Sequence, residues 1–126
     1  MTEETPRRVL LVDDEVPVAT AIADLLLSFG LHVDVVHLAA HVIPAIEAFD
    51  PEVIILDVRL PDGDGRDVFH AVRERWPEMP VVFSSAHVSH ISEVGNHADQ
   101  DGRVRLLHKP YESDALLEAI DSVCRA

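Results

Sequence analysis

Apolar residues recur along the chain in two patterns. Short, almost unbroken runs occupy residues 9–12 (Val-Leu-Leu-Val), 32–37 (His-Val-Asp-Val-Val-His), 53–56 (Val-Ile-Ile-Leu), 81–83 (Val-Val-Phe) and 104–107 (Val-Arg-Leu-Leu). Their β-branched and aliphatic character suits strands buried on both faces. Between them, apolar residues return at helical spacing. Residues 16–29 place Val18, Ile22, Leu25, Leu26 and Phe29 on one stripe, with Pro17 in the first turn and Gly30 at the stop. Residues 39–49 read as a second helix that Pro44 kinks or starts late. Asp64 is a candidate N-cap for a third, with Val68, Phe69, Val72 and Trp76 on its apolar face. Ser113 is the candidate cap of a last helix bearing Leu116, Leu117, Ile120, Val123 and Cys124. Residues 88–102 carry few apolar anchors beyond Ile91 and Val94, and predict a short or frayed helix. Strand–helix alternation predicts an α/β fold with a doubly wound parallel sheet covered on both faces. A single domain over residues 1–126, with its core at about 8–125, is expected.

Charge narrows the class. Ten Lys and Arg against 23 Asp and Glu give a formal net charge of −13 in 126 residues. Nucleic-acid binding rests on cations that neutralise phosphates, so it is not expected, and anionic membranes are disfavoured for the same reason. The apolar runs are too short to span a bilayer, and residues 1–8 lack the apolar core of a signal peptide. The lone Cys124 excludes an internal disulfide and reads as a packed thiol. A cytoplasmic location is the expectation.

Candidate chemistry collects where the strands end. In open α/β sheets, ligands bind outside the carboxyl ends of the strands. Asp13, Asp14 and Glu15 follow the first strand, Asp57 ends the third, Ser84 and Ser85 the fourth, and His108, Lys109 and Pro110 the fifth. Each alone has an ordinary structural explanation as a cap or strand end. Together, clustered acids repel one another unless a cation compensates, and several carboxylates are the donor set Mg²⁺ prefers. A lysine and a hydroxyl beside them can bind phosphoryl oxygens. The set reads as a phosphoryl-transfer site with a carboxylate nucleophile.

With these motifs in place, namely Val-Leu-Leu-Val-Asp-Asp-Glu at 9–15, Val-Ile-Ile-Leu-Asp-Val-Arg-Leu-Pro-Asp-Gly-Asp-Gly at 53–65, Val-Phe-Ser-Ser-Ala at 82–86 and His-Lys-Pro at 108–110, the chain resembles the receiver domain of two-component response regulators over residues 8–125. The resemblance implies a flavodoxin-like sheet of order 2-1-3-4-5. It makes Asp57 the phosphoacceptor and assigns Mg²⁺ to Asp13, Asp14, Asp57 and the backbone carbonyl of Arg59. It gives the phosphoryl oxygens to Ser85, followed by the small Ala86, and to Lys109, with Pro110 in a cis peptide. Ser84 is the alternative to Ser85. Pro61, Gly63 and Gly65 match the turn after the phosphoacceptor. The implied partners are a histidine kinase or histidine phosphotransfer protein as donor and an unidentified downstream protein, with a homodimer among the open options.

The chain also departs from the pattern. Leu106 stands where receivers usually carry Tyr or Phe, and Tyr111 is read as packing. The segment before the fifth strand looks like that of stand-alone, chemotaxis-regulator-like receivers or of receivers fused to kinases. With nothing after Ala126, the expectation is a single-domain regulator, a relay intermediate or an excised piece. Arg59 and His87 flank the expected path of a hydrolytic water and are read as modulators of phosphoryl lifetime. His87, His90, His97 and His108 do not have metal-site spacing on a firm helix. A dedicated enzyme is not expected. A haloacid-dehalogenase-type phosphatase would need an acid at position 59, and an NTP-binding fold would need a Gly-rich loop after the first strand. A pseudo-receiver that acts through contacts alone is the alternative.

Overall fold

The computed structural model describes residues 7–86 and 102–125. Their elements run β1 (Arg8–Val12), α1 (Val16–Ser28), β2 (His32–Val36), a 3₁₀ turn (Ala39–His41), α2 (Val42–Phe49), β3 (Val53–Asp57), a short antiparallel ribbon (Arg59–Leu60 with Gly63–Asp64), α3 (Gly65–Arg75), β4 (Val81–Ser85), β5 (Val104–His108) and α4 (Ser113–Arg125). His87 and residues 88–101, with the short helix expected there, lie outside the described residues.

All neighbours in the main sheet pair in parallel, in the order β2-β1-β3-β4-β5. Right-handed crossovers account for the helix placement. The chain steps one way from β1 to β2, which puts α1 on one face. It then reverses and runs through β3 to β4, which puts α2 and α3 on the other.

Alternate residues of each buried strand feed the two cores. Leu10, Val12, Ile54, Leu56, Val81 and Phe83 join the α2 and α3 side. Val9, Leu11, Val53, Ile55 and Val82 join the α1 and α4 side. That double burial is why these runs show no polar alternation. The order reverses between β1 and β3, so the crevice above these two strands is the sheet's topological switch point.

Local signals explain most boundaries. Leu31 N–H bonds the Leu26 carbonyl and Gly30 N–H that of Leu27, a Schellman closure of α1 that places Gly30 at φ +86°. The Asp64 side chain caps α3 by accepting from Arg66 N–H at 2.8 Å. Pro44 starts its helix late, as expected: a 3₁₀ turn precedes α2, and Pro44 falls in the first turn of α2, where its missing N–H costs nothing.

Two expectations are corrected. The inward face of α1 is Ala19, Ile22, Ala23 and Leu26, whereas Val18 and Phe29 are 38% and 55% exposed. Small alanines bring the helix close to the sheet, so bulk misidentifies the face. Ser113 is the first residue of α4 rather than its flanking cap, since Leu116 N–H already bonds the Glu112 carbonyl.

Candidate functional site

Asp13 leaves β1 and Asp57 ends β3, so the fold sets both acids on either side of the switch point. Both are buried, at 1% and 7% exposure. Lys109, one residue past β5, reaches across: its Nζ lies 3.0 Å from Asp13 Oδ2 and 3.1 Å from Asp57 Oδ2. Backbone bonds tie the strand ends together beneath this bridge. Lys109 N–H donates to the Ser85 carbonyl at 2.8 Å, and Val58 N–H to the Ser84 carbonyl at 3.0 Å.

The other oxygen of each of these two carboxylates accepts from a local donor. Asp13 Oδ1 accepts from Glu15 N–H at 2.9 Å and Asp57 Oδ1 from Arg59 N–H at 3.3 Å. Behind the acids, His37 Nδ1 lies 2.8 Å from the Asp13 carbonyl oxygen and donates to it.

Burial is the largest influence on Asp57 and raises its pKa. The Lys109 ammonium and the Arg59 N–H oppose that rise and the Asp13 charge adds to it, so the carboxyl is held above the ordinary aspartate value. Burial works to lower the pKa of Lys109, but its bonds to Asp13 and Asp57 and their charges outweigh it. The ammonium is held above the ordinary lysine value.

Carboxylate oxygens of Asp13, Asp14 and Asp57 lie within 4.8 Å of one another. Three carboxylates against one ammonium leave a formal double negative charge. A hard divalent cation with oxygen ligands matches both that charge and the donor type. The residues present therefore fit Mg²⁺.

The acids open into a cavity of about 360 Å³ lined by Asp14, Asp57, Arg59, Ser85, Ala86 and Lys109, among others. Ser85 lines this cavity, whereas Ser84, paired with Asp57 across the sheet, does not. The Lys109–Pro110 peptide is cis, as expected. Leu106 pairs with Phe83 and packs against the α2 and α3 core, away from the cavity wall. Tyr111 packs against the α1 and α4 core, in keeping with its expected packing role. Its hydroxyl is buried without a partner among the described residues, and burial pushes it up to about 12.

Sequence reasoning did not anticipate two residues. His37, the backing for Asp13, carries no motif signal. Asp62 reads only as a turn residue in Pro-Asp-Gly, yet its carboxylate accepts from Ala39 N–H at 2.7 Å and Ala40 N–H at 3.0 Å.

A doubly wound parallel sheet of this order, with buried acids and a bridging lysine at its switch point, defines a flavodoxin-like α/β domain with an acidic site at its carboxyl edge. The family model of the response regulator receiver domain matches residues 9–121, and the chain belongs to that family. Over 117 residues it is 32% identical to the regulatory protein LuxO of Vibrio vulnificus, covering 91% of this chain and 25% of that protein. The chain thus spans about a quarter of the length of this and other curated LuxO relatives it matches. Among solved structures it resembles the signal receiver domain of a LuxO repressor protein from Vibrio parahaemolyticus, with a TM-score of 0.84, 26% identity and coverage of 96% and 92%. It also resembles the response regulator protein TrrA from Thermotoga maritima, with a TM-score of 0.82, 20% identity and coverage of 93% and 98%, a likeness of fold alone. Among the described residues, no helix is long and apolar enough to cross a membrane.

Proposed function

We propose that the chain takes a phosphoryl group from a partner phosphohistidine onto Asp57 and signals by changed affinity for a downstream protein. The observation that carries this reading is the Lys109 bridge between Asp13 and Asp57 at the switch point. An Asp57 carboxylate oxygen attacks phosphorus and forms a P–O bond. The P–N bond to the donor imidazole breaks, and its electron pair leaves with the imidazole nitrogen, which takes a proton. Lys109, already placed against Asp57, binds a phosphoryl oxygen, and Ser85 on the cavity wall binds another.

Asp13, Asp14, Asp57 and the Arg59 carbonyl would hold Mg²⁺, which supplies charge neutralisation for the incoming phosphoryl group. TrrA, of the same fold, is known in complex with Mg(2+)-BeF, which supports this assignment. Arg59 and Ala86 line the cavity where a hydrolytic water would approach, and so tune the lifetime of the acyl phosphate. The donor is a histidine kinase or histidine phosphotransfer protein, and the location cytoplasmic.

Intact-protein mass after incubation with acetyl phosphate and Mg²⁺ tests the reading. The wild type should gain one phosphate, lost when Mg²⁺ is omitted and absent from Asp57→Ala. A folded wild type that forms no adduct, beside a control receiver that does, overturns it.

A further inference from the structure

Residues 37–41, which join β2 to α2, are fastened to the site from two sides. His37 Nδ1–H donates to the Asp13 carbonyl on one side. On the other, Asp62 accepts both free amides that open the 3₁₀ turn, Ala39 N–H and Ala40 N–H. The preceding Leu38 makes no side-chain cap, so without Asp62 these amides would have only solvent. Asp62 itself belongs to the phosphoacceptor's turn. That turn is a narrow ribbon with Arg59 opposite Asp64 and Leu60 opposite Gly63. Its base is pinned to Asp57: Arg59 N–H donates to Asp57 Oδ1, and Gly65 N–H to the Val58 carbonyl at 2.7 Å. A Cβ on Gly63 would lie 3.3 Å from the Ala39 Cβ, so ribbon and connection are in close contact.

We infer that Asp62 is a positioning residue that ties the N-terminus of α2 to the phosphoacceptor turn, so that occupancy of the site is felt at residues 38–42. The inference rests on the proposed phosphoryl role of Asp57. A phosphoryl group and cation fix the segment running from Asp57 through the ribbon, and Asp62 passes that restraint to the amides it caps. Asp62 is exposed and does not line the cavity, so its removal leaves the acids and Lys109 in place.

Amide hydrogen exchange of the full chain, with and without Mg²⁺ and beryllofluoride, tests this. In the wild type, exchange at Ala39 and Ala40 should slow about fivefold on addition of the probe, the low end of typical coupling between sites. In Asp62→Ala the amides should exchange at one rate with and without the probe, and Asp62→Asn, with one acceptor oxygen left, should fall between. By reciprocity, Asp62→Ala should bind beryllofluoride about fivefold more weakly. A purely structural cap would give equal exchange in both states of the wild type, and that result overturns the inference. So does slowing that persists undiminished in Asp62→Ala. The acetyl phosphate adduct separates the two readings. An adduct with unresponsive amides refutes only the coupling, whereas no adduct and no beryllofluoride response removes the phosphoryl role and the coupling with it.

Discussion

Asp57 and Asp62 lie five residues apart on one turn, and the fold treats their carboxylates in opposite ways. Asp62 stands in solvent and takes two backbone amides, Ala40 and Ala39, which hold its pKa below the ordinary aspartate value. Asp57 is buried, shares Lys109 with Asp13, and is held above that value. The structural acid is satisfied by fixed donors. The acid at the switch point keeps a surplus of negative charge around it, which only a cation or a reaction removes. Binding sites are commonly built this way, with local stability given up where chemistry is to occur.

The largest test of this contrast removes the shared cation. Lys109→Met leaves Asp13 and Asp57 facing each other without compensation, in a site more than nine-tenths buried at Asp13 and about as buried at Asp57. Removing one partner of a buried ion pair is strongly destabilising, and with the cavity mouth open to solvent a loss of about 2 kcal/mol is expected. Urea unfolding at neutral pH and near pH 4 measures it. The loss should be greatest at neutral pH and shrink in acid, because protonating Asp57 removes the unpaired charge. A loss that does not depend on pH would mean that Lys109 contributes through packing.

Asp57→Asn should act in the opposite direction. An acid whose folded-state pKa lies above its unfolded value penalises folding once ionised. The penalty is full above the folded-state value, shrinks as pH falls through it, and is gone below the ordinary value of 3.8. Without divalent cation at neutral pH, the variant should therefore be the more stable of the two. Thermal unfolding across pH checks the sign, and the advantage should vanish in acid. Added Mg²⁺ should then favour the wild type, since it stabilises whichever chain binds it. A variant less stable than the wild type in the absence of cation would show that Lys109 already satisfies Asp57 fully.

Much of this contrast was legible in the residues and some was not. Runs such as Val-Ile-Ile-Leu before Asp57 mark strands buried on both faces, and strand–helix alternation then dictates which edge Asp13, Asp57, Ser85 and Lys109 share. Asp64 was legible as a cap because its donor, Arg66 N–H, lies two residues away. Asp62 was not, because its donors lie more than twenty residues back, and that pairing exists only once β2 and β3 flank β1. His37 escaped for the same reason, since its partner is a backbone carbonyl reached through strand pairing. The face of α1 misled because hydrophobicity ranks Val18 above Ala19, whereas close approach to a sheet favours the smaller side chain. Local chemistry can be read from neighbours in sequence, but long-range donors need the topology first.

The smallest effect separates the two aspartates directly. In a pH titration followed by NMR of side-chain carboxyl carbons, Asp57 should inflect above 3.8 and Asp62 below it. Protonating Asp62 removes charge from the acceptor of two hydrogen bonds, so the amide resonances of Ala39 and Ala40 should shift with the same inflection. The Arg59 amide, which donates to Asp57, should follow the higher inflection instead. If all three amides moved together, the ribbon would be titrating as one unit and the two acids would not be independent. If the order were inverted, Lys109 would outweigh burial at Asp57 and the two amides would fail to lower Asp62, and the division between a satisfied acid and a poised one would fail.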